Sequence, residues 1–298
     1  MPLAYVFTAY GGPSNQRYLQ LPRPDPGHGQ VLVGVRAAGV NPVDWKVREG
    51  KHRTFLPLEL PAVLGREVAG VVVAVGPGVA GHAVGDPVVG PTVGGCGGYA
   101  EFALVEAVRA ARMPDGLTFT DAAVLPISAG TAYDSLLNLG VTRGETLLIL
   151  GVGGGVGTMA TQLAALDGVA VIGTASTPKR AFVESLGARF VAYDDGALEL
   201  PPVDAVLDLV GAVDSVVLTE RTRVLTVADK LPGGARSVSR RGDPETLPRL
   251  AGLVAAGKLD ACVRQVFPFA EAGAALAVVE AGHVSGKVVI GLPTGPGH

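Results

Sequence analysis

Five glycines crowd the middle of TLLILGVGGGVGTMATQLAAL, residues 146–166, a stretch of 21 residues without a charge. Its length would suit a membrane span of about 20 apolar residues. Each interior glycine, however, costs a helix roughly 1 kcal/mol relative to alanine. Thr146 to Leu150 reads instead as a short buried strand, and Val156, Met159, Ala160, Leu163, Ala164 and Leu166 recur at helical spacing. A strand, a glycine turn and a helix can hold an anion, because the helix start offers N–H groups that have no partner within the helix. The best register of the dinucleotide fingerprint G-x-G-x-x-G places Val152, Gly154 and Gly157 at its three glycine positions, so the first glycine is missing. Gly153, Gly154, Gly155, Val156 and Gly157 are the candidate pyrophosphate contacts.

The next strand carries the choice between two cofactors. NAD sites place an acid on the ribose hydroxyls roughly 20 residues after the glycines. No acid occurs here from Gly168 to Phe182; IGTASTPKR offers Ser176, Thr177, Lys179 and Arg180 instead. Hydroxyls and two cations suit a 2′-phosphate, which points to NADPH. Ser176 or Thr177 also reads as an ordinary helix cap followed by Pro178. Charge-assisted bonds contribute about 1.5–3 kcal/mol each, so two cations imply a preference of order 100-fold or more.

These groups need elements to position them. Residues 1 to about 120 have β texture, with strands expected at Val31–Val35, Val68–Val75 and Tyr99–Val105 between Gly/Pro turns. From residue 121 strands and helices alternate, as in a parallel sheet covered on both faces. The strands expected there are Thr146–Leu150, Val169–Thr174, Phe190–Ala192, Val203–Leu209, Val224–Ala228 and Ala235–Ser239, and the helices are 156–167, 178–186, 213–220 and 245–256. VRQVFPF and GKVVIGLP return to strand texture, so the tail is expected to rejoin the first domain. The ranges are 1–120 with 262–298, and 121–261. The chain has 298 residues, 48% of them hydrophobic, and a net charge of −3, which gives no support for nucleic-acid binding. MPLAYVFTAYGGP lacks a basic n-region and a long apolar h-region, so no signal peptide is expected. Two cysteines make neither a disulfide framework nor a four-cysteine metal site. A cytoplasmic protein outside the membrane is the expectation.

Nearly the whole chain resembles the medium-chain dehydrogenase/reductase superfamily, in its zinc-free quinone oxidoreductase branch. The resemblance is carried by AAGVNPVDWKVREG, LPAVLGREVAGVVVAVGPGV, VGDPVVG, GGYAEF, AAVLPISAGTAYDSL, GGGVGTMATQLA, VDAVLDLVG and VEAGHVSGKVVI, in family order. It implies an α/β protein with a GroES-like β-barrel domain built from both chain ends. A Rossmann domain with a doubly wound parallel sheet is inserted between them, with the active site in the cleft. It further implies Thr131 near the nicotinamide and Ser176, Lys179 and Tyr193 around the adenosine 2′-phosphate, with Val210 and Val227 on the nicotinamide side. Relatives commonly form homodimers through the edge of the Rossmann sheet, here Ala235–Ser239.

Zinc members carry Cys where this chain has Asn41, and a His-Glu pair where it has Arg66-Glu67. The five histidines show no ligand spacing, so no metal is expected. Hydride transfer to an electron-poor acceptor needs less activation than alcohol oxidation: a hydrogen-bond donor for the developing oxyanion, then a proton. NPVDWK supplies Asn41 as a donor to the substrate oxygen or the cofactor ribose, Lys46 as an electrostatic stabiliser or proton donor, and Asp44 to orient it. The bland alternative for Asp44 and Lys46 is a solvated loop pair, and for Trp45 packing beneath the loop. The expected function is NADPH-dependent reduction of a quinone or of the C=C bond of an α,β-unsaturated carbonyl. An enoyl-thioester reductase, with Arg48, Lys51 and Arg53 as a weak cationic patch, is one alternative. A non-catalytic NADPH-binding regulatory or structural protein is another.

Overall fold

The computed structural model describes residues 1–193, 200–228, 236–238 and 243–293. The chain divides into two compact units, Met1–Ile127 with Asp243–His298, and Ser128–Gly242. Residues 121–127 and 243–261 thus lie in the first unit, whereas sequence texture put them in the second. The first unit begins with β1 (Leu3–Phe7), β2 (Gln16–Gln20), β3 (Gln30–Val40), α1 (Pro42–Glu49), β4 (Ala62–Val63) and β5 (Glu67–Val75). It continues through β6 (Pro87–Pro91), β7 (Phe102–Glu106), β8 (Ala111–Arg112) and α2 (Phe119–Ala122). β3 is the spine. Almost every residue of QVLVGVRAAGV is buried, so the strand is apolar on both faces rather than alternating. One edge of β3 pairs with β5 and the start of its other edge with β7, both antiparallel. Gly70 permits the close approach to β3, since a Cβ there would lie 2.1 Å from the Gly34 carbonyl oxygen.

The second unit opens with α3 (Gly130–Leu139), then β9 (Thr146–Leu150), α4 (Gly155–Leu166), β10 (Ala170–Ala175), α5 (Arg180–Ser185) and β11 (Arg189–Ala192). β12 (Ala205–Asp208), β13 (Arg223–Thr226) and β14 (Arg236–Ser237) complete its sheet. All pairings are parallel, in the order β11-β10-β9-β12-β13-β14. The order reverses between β9 and β12, the switch point at which doubly wound sheets bind ligands. Leu148, Leu150, Ile172, Val206, Val213 and Val224 form a core on this sheet. The helix expected over 213–220 is only a 3₁₀ turn, Val213–Ser215. Adjacent β-branched Val216 and Val217 disfavour a helix, and Val217, 97% exposed, finds no surface to cover. Of the expected last strand, Ala235 and Ser239 lie outside the described residues.

The chain then returns to the first unit with α6 (Thr246–Ala255), β15 (Val263–Pro268), α7 (Ala272–Glu280) and β16 (Lys287–Gly291). β16 pairs antiparallel with the end of β3, Val288 opposite Val40. The last part of the chain thereby occupies the edge of β3 that β7 leaves open. Buried Arg48 on α1 forks onto Glu280 at the end of α7, with Nη1–Oε2 2.9 Å and Nη2–Oε1 2.7 Å, and its Nε donates to the Gly11 carbonyl. Among the described residues, no helix is long and apolar enough to cross a membrane.

Candidate active site

Parallel strands place all their C-terminal ends on one edge of the sheet, and the candidate cofactor residues of the second unit follow those ends. The glycine turn follows β9, Ser176 and Lys179 follow β10, Tyr193 follows β11, Val210 follows β12 and Val227 follows β13. Thr131 is buried in the first turn of α3.

The glycines have separable causes. Gly151 has φ +86°, and its missing side chain admits Val210, whose Cγ1 would lie 2.6 Å from a Cβ. At Gly157 a Cβ would lie 2.5 Å from the Val152 carbonyl oxygen, so glycine is needed for α4 to pack on the turn. Gly153 is crossed by the Lys179 side chain, with Cδ 2.9 Å from a notional Cβ. Gly154, the N-cap of α4, is different: its φ is −87°, and a Cβ would meet only the Gly151 carbonyl oxygen at an ordinary 3.6 Å. Neither conformation nor internal packing demands a glycine there. A bare backbone at the mouth of a helix N-terminus fits a pyrophosphate at close range.

Lys179 comes to the turn half-buried, and burial lowers its pKa. Tyr193 donates its N–H to the Ala175 carbonyl at 3.3 Å, beside Ser176, and its side chain is half-exposed. Arg180 differs from expectation. Its guanidinium stacks 4.3 Å from the Phe190 ring centroid and reaches Glu184 at 3.5 Å, so Lys179 alone of the two cations is seen at the glycine turn. The expected helix 178–186 starts as a 3₁₀ turn, Thr177–Lys179, and Ser176 forms no side-chain cap.

Sequence reasoning missed Asp208. Buried at the end of β12, its Oδ1 accepts from the N–H groups of Val210, Gly211 and Ala212 at 2.8–3.2 Å, and its Oδ2 from Val213 at 3.2 Å. The carboxylate thus shapes the turn that presents Val210, which is 61% exposed. The Asp208 carbonyl also accepts from Val227 N–H at 3.0 Å. An acid inside the apolar run AVLDLV was the available signal.

In the first unit NPVDWK is the start of a helix rather than a loop. Asn41 caps α1, and the Asp44 carboxylate reaches back to the Asn41 N–H at 2.8 Å in a capping box. Asp44 is fully buried and also accepts from Tyr99 Oη at 2.7 Å, so the solvated-pair alternative does not hold for it. Burial is the largest influence on its carboxyl and pushes the pKa from 3.8 up to about 6, against the bonds from Tyr99 and Asn41. Lys46 is half-buried on α1, its Nζ 5.9 Å from the Trp45 ring centroid; Lys51 lies closer to that ring, at 4.4 Å. Trp45 packs against the core of the unit, as its bland reading had it.

Asn41 is held by two residues that sequence reasoning did not assign. Its Nδ2 donates to Glu67 Oε1 at 2.7 Å, and its Oδ1 accepts from Lys287 Nζ at 2.7 Å. Lys287 also donates to the Val40 carbonyl at 3.1 Å and to Glu67 at 3.3 Å. Glu67 Oε2 accepts from Ile127 N–H at 2.7 Å. A charge at the head of each apolar run, in EVAGVVV and KVVIG, was the signal. Arg48, expected in a cationic patch, is instead committed to Glu280. Among the described residues no group of three or more His, Cys, Asp or Glu is placed to hold a metal ion.

Comparison with known proteins agrees with this architecture. Residues 27–115 match the alcohol dehydrogenase GroES-like domain, and residues 186–290 the zinc-binding dehydrogenase family. A 2-methylene-furan-3-one reductase of Solanum lycopersicum is 37% identical over 90% of this chain and 73% of its own length. An NADPH-dependent alkenal/one oxidoreductase of Arabidopsis thaliana, a chloroplastic protein, is 36% identical over 96% of this chain and 78% of its own. The solved quinone oxidoreductase of Coxiella burnetii superposes with a TM-score of 0.90 at 31% identity, covering 98% of this chain and 99% of that one. The chain belongs to the medium-chain dehydrogenase/reductase superfamily, with its quinone oxidoreductase-like members.

Two outcomes follow from this geometry. Gly154→Ala should cost at most about 1 kcal/mol, because glycine is a better N-cap than alanine, and should lose affinity for a dinucleotide, whereas Gly157→Ala should lower the unfolding midpoint by more; calorimetry and thermal unfolding separate the two. Equal destabilisation by both would remove the distinction. For Asp44, the folded state holds the proton more tightly than the unfolded chain. Stability should therefore fall as pH rises from 3.8 to about 6. Asp44→Asn, whose Oδ1 can still accept from Asn41 N–H, should flatten that slope in urea unfolding measured across this range.

Proposed function

We propose that this protein reduces a quinone or the C=C bond of an α,β-unsaturated carbonyl, with NADPH as the hydride source and no metal. The observation that carries the reading is Gly154, a glycine that neither backbone conformation nor packing requires, at the switch point of a parallel sheet. The names of the relatives, an NADPH-dependent alkenal/one oxidoreductase and a furanone reductase, support the cofactor and the acceptor class.

When bound, NADPH supplies the hydride. The residues of the second unit bind it: α4 turns its first N–H groups to the pyrophosphate, and Lys179 with Ser176 and Tyr193 takes the 2′-phosphate. Val210 and Val227 give the nicotinamide an apolar side, and Thr131 a polar contact. Asn41 offers an amide N–H to the acceptor's oxygen, and the Lys46 ammonium stabilises the negative charge that develops there. Asp44 serves Lys46 through the geometry of α1, because its carboxylate closes the capping box from which Lys46 projects. Asn41 and Arg66 stand where zinc members carry ligands, and a donor set of that kind suits hydrogen bonding better than metal binding. Commitment of Arg48 to Glu280 weakens the thioester alternative, which needed cations for phosphates.

A homodimer and a cytoplasmic setting belong to the same reading. Among the described residues β14 is the edge strand of its sheet, where a second copy would pair, and Cys96 and Cys262 form no disulfide, as suits a reducing compartment. A monomeric mass by light scattering would remove the dimer.

With Lys179 taken as the one cation at the 2′-phosphate, the expected preference is smaller. A single charge-assisted bond of about 1.5–3 kcal/mol favours NADPH over NADH by roughly 10- to 100-fold. Lys179→Ala should remove most of this and leave NADH affinity nearly unchanged in calorimetry. The activity test is NADPH consumption by EDTA-dialysed protein with 1,2-naphthoquinone and with a simple enone, scored by product. Activity lost in EDTA and restored by zinc would overturn the metal-free reading, and NADPH binding without turnover would favour a non-catalytic role.

Lys46→Met keeps much of the aliphatic stem and removes the charge. Turnover on enones should fall by about 10²–10³ with near-normal NADPH affinity, the signature of a lost transition-state interaction. The loss on quinones should be smaller, because their reduced anion is more stable. Wild-type enone turnover in this variant would leave Lys46 without a catalytic role.

A further inference from the structure

Three strands bring the partners of Asn41 together. β3 ends at Val40, immediately before Asn41; β5 begins at Glu67 and β16 at Lys287. Antiparallel register sets Val68 opposite Ala38 and Val288 opposite Val40, which lands both charges beside the Asn41 side chain. Lys287 and Glu67 are 3% and 0% exposed, so neither is a surface ion. Gly39 makes room for the carboxylate, since a Cβ there would lie 2.2 Å from Glu67 Oε1.

The chemistry of these groups dictates how the Asn41 carboxamide is turned. An ammonium can only donate and an ionised carboxylate can only accept. Lys287 must therefore face Oδ1, and Glu67 must face Nδ2. The flipped carboxamide would set NH₂ against NH₃⁺ and oxygen against oxygen. The three Lys287 hydrogens are matched by Val40, Asn41 and Glu67. The Asn41 main-chain N–H is taken by Asp44. One Nδ2 hydrogen remains, buried and without a partner among the described residues. A buried N–H of this kind calls for an acceptor.

We propose that Glu67 and Lys287 are positioning residues, which lock the Asn41 carboxamide so that its one remaining N–H is offered to the oxygen of the electron acceptor. This rests on the reductase reading above. A buried ion pair is weak as a source of stability and is better suited to fixing one geometry. Replacing both charges together should then spare the fold and harm the reaction. A purely structural pair predicts the reverse, with activity following stability.

The test combines Glu67→Gln/Lys287→Met, Asn41→Ala and all three substitutions, measuring unfolding midpoint, NADPH affinity and kcat on an enone. The charge-free double variant should unfold near the wild-type midpoint and bind NADPH normally, with kcat lower by about 10- to 100-fold, the range typical of residues that orient a reacting group through another. Adding Asn41→Ala should lower kcat no further, because the network acts through that side chain. Wild-type kcat in the double variant, losses that multiply, or a fall confined to NADPH affinity would each overturn the proposal. If the double variant does not fold, Lys287→Arg keeps the charge but not the compact three-way donor, and should show the same loss of kcat. Wild-type protein that reduces no acceptor would remove the function reading itself. The network is then judged by the side-chain amide signals of Asn41, identified by their loss in Asn41→Ala. Two separated hydrogens, one of them protected from exchange, should converge in Lys287→Arg, and unchanged signals would overturn the lock.

Discussion

The pairing of β16 with the end of β3 is the contact on which the first unit depends. β3 and β16 are separated by well over a hundred residues of chain, so closing that pair carries a loop entropy that local structure cannot offset. What offsets it is burial: Val288 and Ile290 enter a core already lined by β3, and α7 packs Ala272, Ala275 and Leu276 on the same unit. The same junction takes Lys287 and Glu67 out of water. Desolvating two ions is expensive, and here the cost is met by matched hydrogen bonds to both. A polar residue at the end of a buried strand thereby acquires a single orientation.

The second unit solves a related problem with glycine and one carboxylate. Its parallel strands end on one edge, and the turns that follow must remain tight without covering that edge. Gly151 and Gly157 allow the tightness, by conformation at the first and by close packing at the second. Asp208 gathers four main-chain N–H groups that a turn of this shape would otherwise leave unpaired, and so gives the loop after β12 a definite form. Gly154 is required for neither task.

Local signals carried some elements well and misled on others. Thr146–Leu150 has the same bounds in sequence and structure, because an apolar run closed by glycines admits few alternatives. The expected helix 245–256 is α6, Thr246–Ala255, within a residue at either end. NPVDWK looked like a loop because of its proline and polar residues, yet proline in the first turn and an acid three residues after an Asn cap are helix-start features. Residues 213–220 looked helical by position in an alternating pattern, and β-branching overrode the pattern. Arg180 was read as a 2′-phosphate contact and Arg48 as part of a cationic patch. Their environments, a bidentate carboxylate and an aromatic ring, come from chain segments remote from them or from the next strand.

Local sequence carried the class of each half and the candidate anion-binding segment. These depend on periodicity, glycine placement and missing acids, all readable within about twenty residues. It also determined family membership, because many short segments recur in one order. Packing set what each candidate side chain can do. Asn41 was legible as a donor, but which of its hydrogens is available depends on Glu67 and Lys287, brought to it by strand register. Asp44 was legible as an acid, but its raised pKa comes from complete burial against Tyr99. Residue type sets which bonds a group can make; burial and register, fixed only when distant strands pair, set which of them it does make.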